Sequence, residues 1–334
     1  MPYQVRRWIK PLLLLALSCL LVISACQRPV ENNSTVEAST TSDCKVINHR
    51  LGEACVPLEP KRIVALDVPA ILDPLLALDI KPVGTVVDYF GDGQSWSGER
   101  YFPALLPELV EEIEIVGVEP TPSIEKILQL EPDLILMADQ FASAYRQLSK
   151  IAPSVIIDVW RNQIPIKENF QNIADIVGKE DKAAAILAQY QERIETFREQ
   201  LGDRLLSSEI SVLGYHENQI YASSKSASYF QVFQDLGLPI KPTLLERERW
   251  GYISAETLND YDADLMFFTE LNNPSEPLNQ QPLIQSLEAV KNDQAYIVDG
   301  SIWEFYGPIG MDLFLDDLSK YVLDDQQEPI SYEG

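Results

Sequence analysis

Arg247, Arg249 and Trp250, in the stretch TLLERERWGYISAE from Thr243 to Glu256, put two guanidinium groups and an indole together in a chain with 26 Lys+Arg against 51 Asp+Glu. A planar guanidinium fork matches an oxygen-rich anion bidentately at short range, and an indole covers apolar skeleton, so the residue types suit ligand retention. The plain alternative is a solvated loop whose arginines pair with Glu246 and Glu248 and whose tryptophan is core. Catalytic constellations are missing from the sequence. It holds no G-x-S-x-G, G-x-x-x-x-G-K-[ST] or C-x-x-C, and His216-Glu217-Asn218-Gln219-Ile220 fails H-E-x-x-H at its last position. With only His49 and His216, a histidine-rich metal site is not expected. A hydrolase working through carboxylates alone is the minor alternative.

The N-terminus carries Arg6, Arg7 and Lys10, then the apolar run PLLLLALSCLLVISA over 11–25, then Cys26. A run that short behind a basic segment is a signal-peptide core rather than a membrane span. Small residues just before a cysteine resemble a bacterial lipobox, so 1–25 is expected to be removed and Cys26 diacylated, with the polar 26–43 as a flexible tether. An anchored chain outside the cytoplasmic membrane, on its periplasmic side or at the cell surface, is the expectation. Losing three cations and no acid takes the formal charge from −25 to −28, which excludes nucleic acid as a partner on electrostatic grounds. Cys44 and Cys55 remain, and an oxidising compartment favours a disulfide between them. A metal site is the rival reading, with only His49 nearby.

From Pro60 onward short apolar runs alternate with helical segments: strands at 62–66, 83–87, 133–137 and 154–157, then, after 201, at 210–215, 220–221, 265–268 and 295–298. Unbroken apolar strands interleaved with helices mean parallel sheets covered on both faces. Between the two sets, 166–204 reads as one bridging segment, with Leu187, Tyr190, Ile194, Phe197 and Leu201 making a single helical stripe closed by Gly202. The expected organisation is an N-terminal α/β lobe over 44–165, the bridge, a C-terminal α/β lobe over 205–325 and a solvated acidic tail over 326–334.

An internal repeat supports the two lobes. PSIEKILQLEPDLILMAD (Pro122 to Asp139) aligns without a gap on ISAETLNDYDADLMFFTE (Ile253 to Glu270) at an offset of 131, so that Ser123 falls on Ser254, Glu125 on Glu256 and Asp133 on Asp264. Each copy predicts a Ser-capped helix with Glu in its first turn, then a buried strand. The glutamates either complement a helix dipole or present one carboxylate per lobe to a partner that touches both.

The lipobox, PKRIVAL, PSIEKILQLEPDLIL, SKIAPSVIID, KENFQNIADIVGKEDKAAAILAQYQERI and ISAETLNDYDADLMFF, in this order, resemble the anchored or periplasmic substrate-binding proteins of ABC importers for ferric siderophores and cobalamin. CKVINHRLGEACVP looks most like cyanobacterial ferric-citrate-type members. The resemblance implies an α/β fold of two Rossmann-like lobes with parallel sheets joined by a single long α-helix, with a ferric siderophore of citrate or hydroxamate type held between them. It also implies a monomer that docks Glu125 and Glu256 onto arginines of the permease dimer. Iron would arrive inside the ligand, with no further cofactor and no direct metal ligation; cobalamin or haem is the alternative cargo. Ligands bind beyond the carboxyl ends of parallel strands. This singles out Tyr89 and Trp96, Arg161 and Trp303 after predicted strands, beside Arg247, Arg249 and Trp250.

Overall fold

In the computed structural model the described residues are 44–87, 105, 107–216, 218–270, 277–323 and 327–331. Cys26, Tyr89 and Trp96 lie outside them. The chain opens with an antiparallel hairpin, β1 (Cys44–His49) and β2 (Gly52–Pro57). A disulfide joins Cys44 to Cys55, their Cα atoms 5.4 Å apart. Arg50 Nε donates to Asp158 Oδ1 at 2.7 Å and Lys45 Nζ to Asp175 Oδ1 at 2.6 Å, fastening the hairpin to the end of the first lobe and to the segment that follows it.

The first lobe is built on β3 (Ile63–Leu66), β4 (Gly84–Val87), β5 (Glu114–Val118), β6 (Thr121–Pro122), β7 (Leu134–Ala138) and β8 (Ser154–Ile157). Their order is β6-β5-β4-β3-β7-β8, and only the β5–β6 pair is antiparallel. Alternate residues of β3 enter different apolar clusters: Ile63 and Ala65 face the main core, Val64 and Leu66 a second one. A strand wetted on neither face explains the continuous run IVAL.

The second lobe holds β9 (Ile210–His216), β10 (Gln219–Ala222), β11 (Gly251–Tyr252), β12 (Leu265–Glu270) and β13 (Ala295–Asp299), ordered β11-β10-β9-β12-β13. Its β9, β12 and β13 are parallel, while β10 turns back antiparallel on β9 and carries β11 at the edge.

Short helices cover the sheets, among them α1 (Asp73–Ala77) and α2 (Ile124–Gln129) in the first lobe and α5 (Ser228–Leu236) and α6 (Pro308–Val322) in the second. The bridge is α3 (Ile166–Val177) and α4 (Glu180–Leu201). Within the bridge over 166–204 Gly178 separates the two helices: it adopts φ 67°, a left-handed cap suited to glycine, and its N–H returns to the Ala174 carbonyl. At 22 residues, α4 is about 33 Å long. It starts with Lys182 paired to Asp79 of the first lobe, and farther along Arg193 holds Asp312 and Asp316 of α6.

Two other expectations change. Only the first repeat copy is α-helical: Ser123 Oγ accepts from Lys126 N–H and opens α2, whereas the second copy forms a turn and a short 3-10 segment over Leu258–Tyr261. Thr257, Asn259 and Asp260 are poor helix formers. Thr257 Oγ1 donates to the Ser254 carbonyl at 3.2 Å, a side-chain bond that competes with helical ones. The expected solvated tail is also corrected, since Ile330 is buried and its N–H donates to the Ala295 carbonyl at 2.8 Å. An apolar side chain that can reach the core gains more there than in water.

Candidate functional site between the lobes

Strand ends of both sheets supply the polar side chains at the junction. Asp67, directly after β3, is 1% exposed and accepts from Ala70 N–H at 2.7 Å, Gln140 Nε2 at 2.8 Å and the Trp160 indole N–H at 2.9 Å. Its φ of 154° takes it out of strand geometry, leaving the side chain to cap the turn that follows. Gln140, after β7, also donates to Glu119. Asp139 Oδ1 accepts Trp160 N–H at 2.9 Å and Arg161 N–H at 3.3 Å, which fixes the turn after β8.

Trp160 is the joint between lobes. Its N–H serves Asp67, while its ring lies 4.7 Å from that of Tyr306 in the second lobe. Tyr306 donates in turn to the Ile164 carbonyl, and burial pushes its phenol pKa up. A second crossing follows, from Gln163 Nε2 to the Glu248 carbonyl at 3.0 Å, which brings the 247–250 stretch to the 160–163 turn.

Within that stretch the three candidate residues behave differently. Arg247 turns into its own lobe, donating to the Tyr261 hydroxyl at 2.7 Å and the Gly251 carbonyl at 3.3 Å, and its guanidinium carbon lies 5.9 Å from the Tyr261 ring centroid. Arg249 is exposed, and so is Trp250, at 53%. The Trp250 ring stands 5.3 Å from Tyr221 and 5.0 Å from Tyr252, forming an aromatic row. Beneath it Glu304 accepts from the Tyr221 hydroxyl and from Thr269 Oγ1, the latter at 3.1 Å. Burial, with the Glu304 charge beside it, raises the Tyr221 pKa and keeps the phenol a donor.

Arg161 is exposed on the turn after β8. Trp303 is not a site residue: it is 0% exposed, donates to Asp317 Oδ2 at 2.8 Å and packs 4.6 Å from Phe267 and 4.8 Å from Phe314. Following a strand placed it near the cleft in sequence, but the apolar neighbours claim the indole. Reading the residues that follow predicted strands reaches Trp160 beside Arg161, but sequence reasoning missed Asp67, Gln140, Tyr221, Glu304 and Tyr306. Position after a strand could have found Asp67 and Gln140; nothing local marks the others.

Glu125 and Glu256 are both exposed, one in the first turn of α2 and the other in the turn before the 3-10 segment. Among the described residues no group of three or more His, Cys, Asp or Glu could hold a metal ion, and no helix is long and apolar enough to cross a membrane.

Comparison with known proteins agrees with this architecture. A family model described as periplasmic binding protein matches residues 70–301. The probable siderophore-binding lipoprotein YfiY of Bacillus subtilis is 30% identical over 93% of this chain and 97% of its own. The Fe(3+)-citrate-binding protein YfmC of the same organism is 29% identical over 86% of this chain and 88% of its own. Among solved structures, Staphylococcus aureus SirA complexed with staphyloferrin B superposes with a TM-score of 0.69 at 25% identity, covering 83% of this chain and 97% of SirA.

Proposed function

The chain belongs to the periplasmic binding protein family, and we propose that it is a lipid-anchored solute-binding protein, not an enzyme, that captures a ferric siderophore between its lobes and delivers it to an ABC importer. The carrying observation is the junction itself. Exposed Trp160 and Trp250 stand on opposite lobes with Arg161 and Arg249 beside them, and a hydrogen bond from Gln163 to Glu248 brings the two segments together. Aromatic faces cover a chelator's carbon skeleton, and rim guanidinium groups donate to the negatively polarised oxygens around iron. Relatives named for siderophore and ferric-citrate binding support the ligand class.

In this reading iron enters inside its chelator, Cys26 carries the acyl anchor on the outer side of the cell membrane, the protein works as a monomer, and Glu125 and Glu256 meet the permease. Tyr89, Trp96 and Arg247 remain proposed contributors, Arg247 through the loop it braces. Tryptophan fluorescence titration with ferric citrate, ferric hydroxamates, haem and cobalamin tests the cargo. Saturable quenching by a ferric chelate at micromolar concentration is expected. A response to haem or cobalamin alone, or none at all, overturns the reading. Arg161→Ala with Arg249→Ala should weaken ferric-chelate binding about tenfold, the loss of one to two charge-assisted hydrogen bonds; unchanged affinity would make them ordinary surface residues.

A further inference from the structure

We propose that Arg247 and Thr243 are positioning residues for Glu256, holding in the second lobe what a regular helix holds for Glu125 in the first; this rests on the docking reading above. The two carboxylates occupy corresponding places. β6 and β11 are the antiparallel edge strands of their sheets, and each leads into the segment that carries its glutamate. β7 and β12 follow, as parallel neighbours of β3 and β9. In the first lobe Glu125 stands in the first turn of α2, where Ser123 Oγ caps Lys126 N–H and the Ser123 carbonyl accepts Ile127 N–H at 3.1 Å. Such bonds fix the direction in which a first-turn side chain leaves the helix. Arg62 closes the far end, its Nε donating to the Leu130 carbonyl at 3.0 Å.

Glu256 lies on a turn instead. Ile253 N–H donates to the Ile220 carbonyl at 2.8 Å on one side, Leu258 is buried on the other, and Ser254, Ala255, Glu256 and Thr257 stand exposed between them. The segment just ahead supplies what the missing helix does not. Arg247 Nη2 donates to the Gly251 carbonyl at 3.3 Å and Nη1 to the Tyr261 hydroxyl at 2.7 Å, while Thr243 Oγ1 donates to the Asp260 carbonyl at 3.0 Å. One guanidinium thus grips the chain both before and after Glu256, a task for which its rigid fork is suited. Its own backbone is fixed in turn: Arg247 N–H donates to the Leu244 carbonyl at 3.2 Å, and the Arg247 carbonyl accepts Lys225 N–H at 2.8 Å.

Tyr261 stands where the first repeat copy has Leu130. An arginine therefore ends the glutamate-bearing element in both lobes, Arg62 on a backbone carbonyl and Arg247 on a hydroxyl that the first copy lacks. Tyr261 is buried, so its bond to Arg247 is shielded from competing water. Arg247 Nε is also buried, without a hydrogen-bond partner among the described residues. A buried donor left unpaired costs stability, so stability alone does not account for this side chain's placement.

Arg247 adjoins Arg249 and Trp250 on the cleft rim, so the test leaves it in place and removes the hydroxyls around it, with Thr243→Val and Tyr261→Phe combined. In the purified full chain, hydrogen exchange across 252–260 should quicken about tenfold, the loss of one to two hydrogen bonds, with 123–129 unchanged. Affinity for ferric citrate and for a ferric trishydroxamate should stay within about twofold of native. Uptake of radioactive iron supplied as either chelate, by cells carrying the full chain in place of their own copy, should fall several-fold. Glu256→Ala should lower uptake too, and adding the pair to Glu256→Ala should cost nothing further, because the turn then has no carboxylate to position. Unchanged exchange at 252–260, or normal uptake by the pair while Glu256→Ala is impaired, overturns the positioning role and leaves docking standing. An equal further loss in the Glu256→Ala background does the same, since it marks general damage to the fold. Normal uptake by Glu256→Ala removes docking through this lobe, and no uptake of either chelate by the native chain removes the delivery reading; this inference falls with each.

Discussion

Asp73 is the residue through which the first lobe reaches the second. Its carboxylate accepts Ile309 N–H at 3.0 Å and Gly310 N–H at 2.9 Å, so an acid from one lobe caps the N-terminus of α6 in the other. Gly307 makes room, since a Cβ there would meet the Asp73 carboxyl group. Burial raises the Asp73 pKa from 3.8 to about 7, outweighing the two N–H bonds that lower it. The folded state thus holds a proton that the unfolded chain has already lost. The stability linked to that proton is full below the unfolded value and disappears as pH rises through about 7. Between pH 6 and pH 8 the loss is about 1.4 kcal/mol, roughly one pKa unit's worth. His49, whose pKa burial lowers, acts in the opposite sense at lower pH. Urea denaturation at pH 6, 7 and 8 should show the decline in the native protein and a flat profile in Asp73→Asn; equal slopes would mean the group ionises as in the unfolded chain. None of this was legible in VPAILDPLLALDI, which reads only as a helix, because the partners of Asp73 lie 236 and 237 residues away. Trp303 teaches the same limit. Sequence position after a strand located its backbone, and only packing against Phe267 and Phe314 decided where its ring went.

Elements were more legible than side-chain directions, and most so where both faces are buried. IVAL, LILMA and SVII announce β3, β7 and β8 because no position in them is solvated. EIVGV hides β5, whose first residue is an exposed glutamate and which has a glycine inside. The repeat is real at the level of strand entry: Asp133 accepts from Lys61 and Arg62 N–H ahead of β3, and its counterpart Asp264 accepts from Glu209 N–H ahead of β9. It fails at the helix, where Thr257 and Asp260 replace the better helix formers of the first copy. Glu125 and Glu256 nevertheless keep exposed positions, and exposed carboxylates suit arginine forks across a transient interface. Replacing both by alanine should change stability by no more than about 0.5 kcal/mol. Ligand affinity should be unchanged and uptake in cells abolished. Normal iron uptake by the double variant would refute docking through these residues.

At the scale of the whole molecule the lobes share a core, which decides how the protein comes apart. One apolar cluster runs from Ile63 and Leu134 under the first sheet, through Phe170, Ile173, Tyr190 and Ile194 of the bridge, to Phe230, Phe267 and Phe314 in the second lobe. The second cluster, with Val64, Met137 and Phe141, lies on the opposite face of the same first sheet and so stands or falls with it. Asp73, Gln163 and Tyr306 add polar crossings between the lobes, and the Trp160 ring packs on that of Tyr306. Separating the lobes would expose apolar surface on the bridge and strand the buried Asp73 carboxylate, so a state with one lobe folded gains little from its remaining contacts. Urea unfolding should therefore be a single transition. Fluorescence, which includes Trp160 at the joint and Trp303 inside the second lobe, should coincide with far-UV circular dichroism. A ferric chelate at a hundredfold excess over its Kd should move that transition as a unit, by about 2.7 kcal/mol. Two resolved steps, or a ligand that shifts only one of the probes, would show that the bridge links two independent folding units.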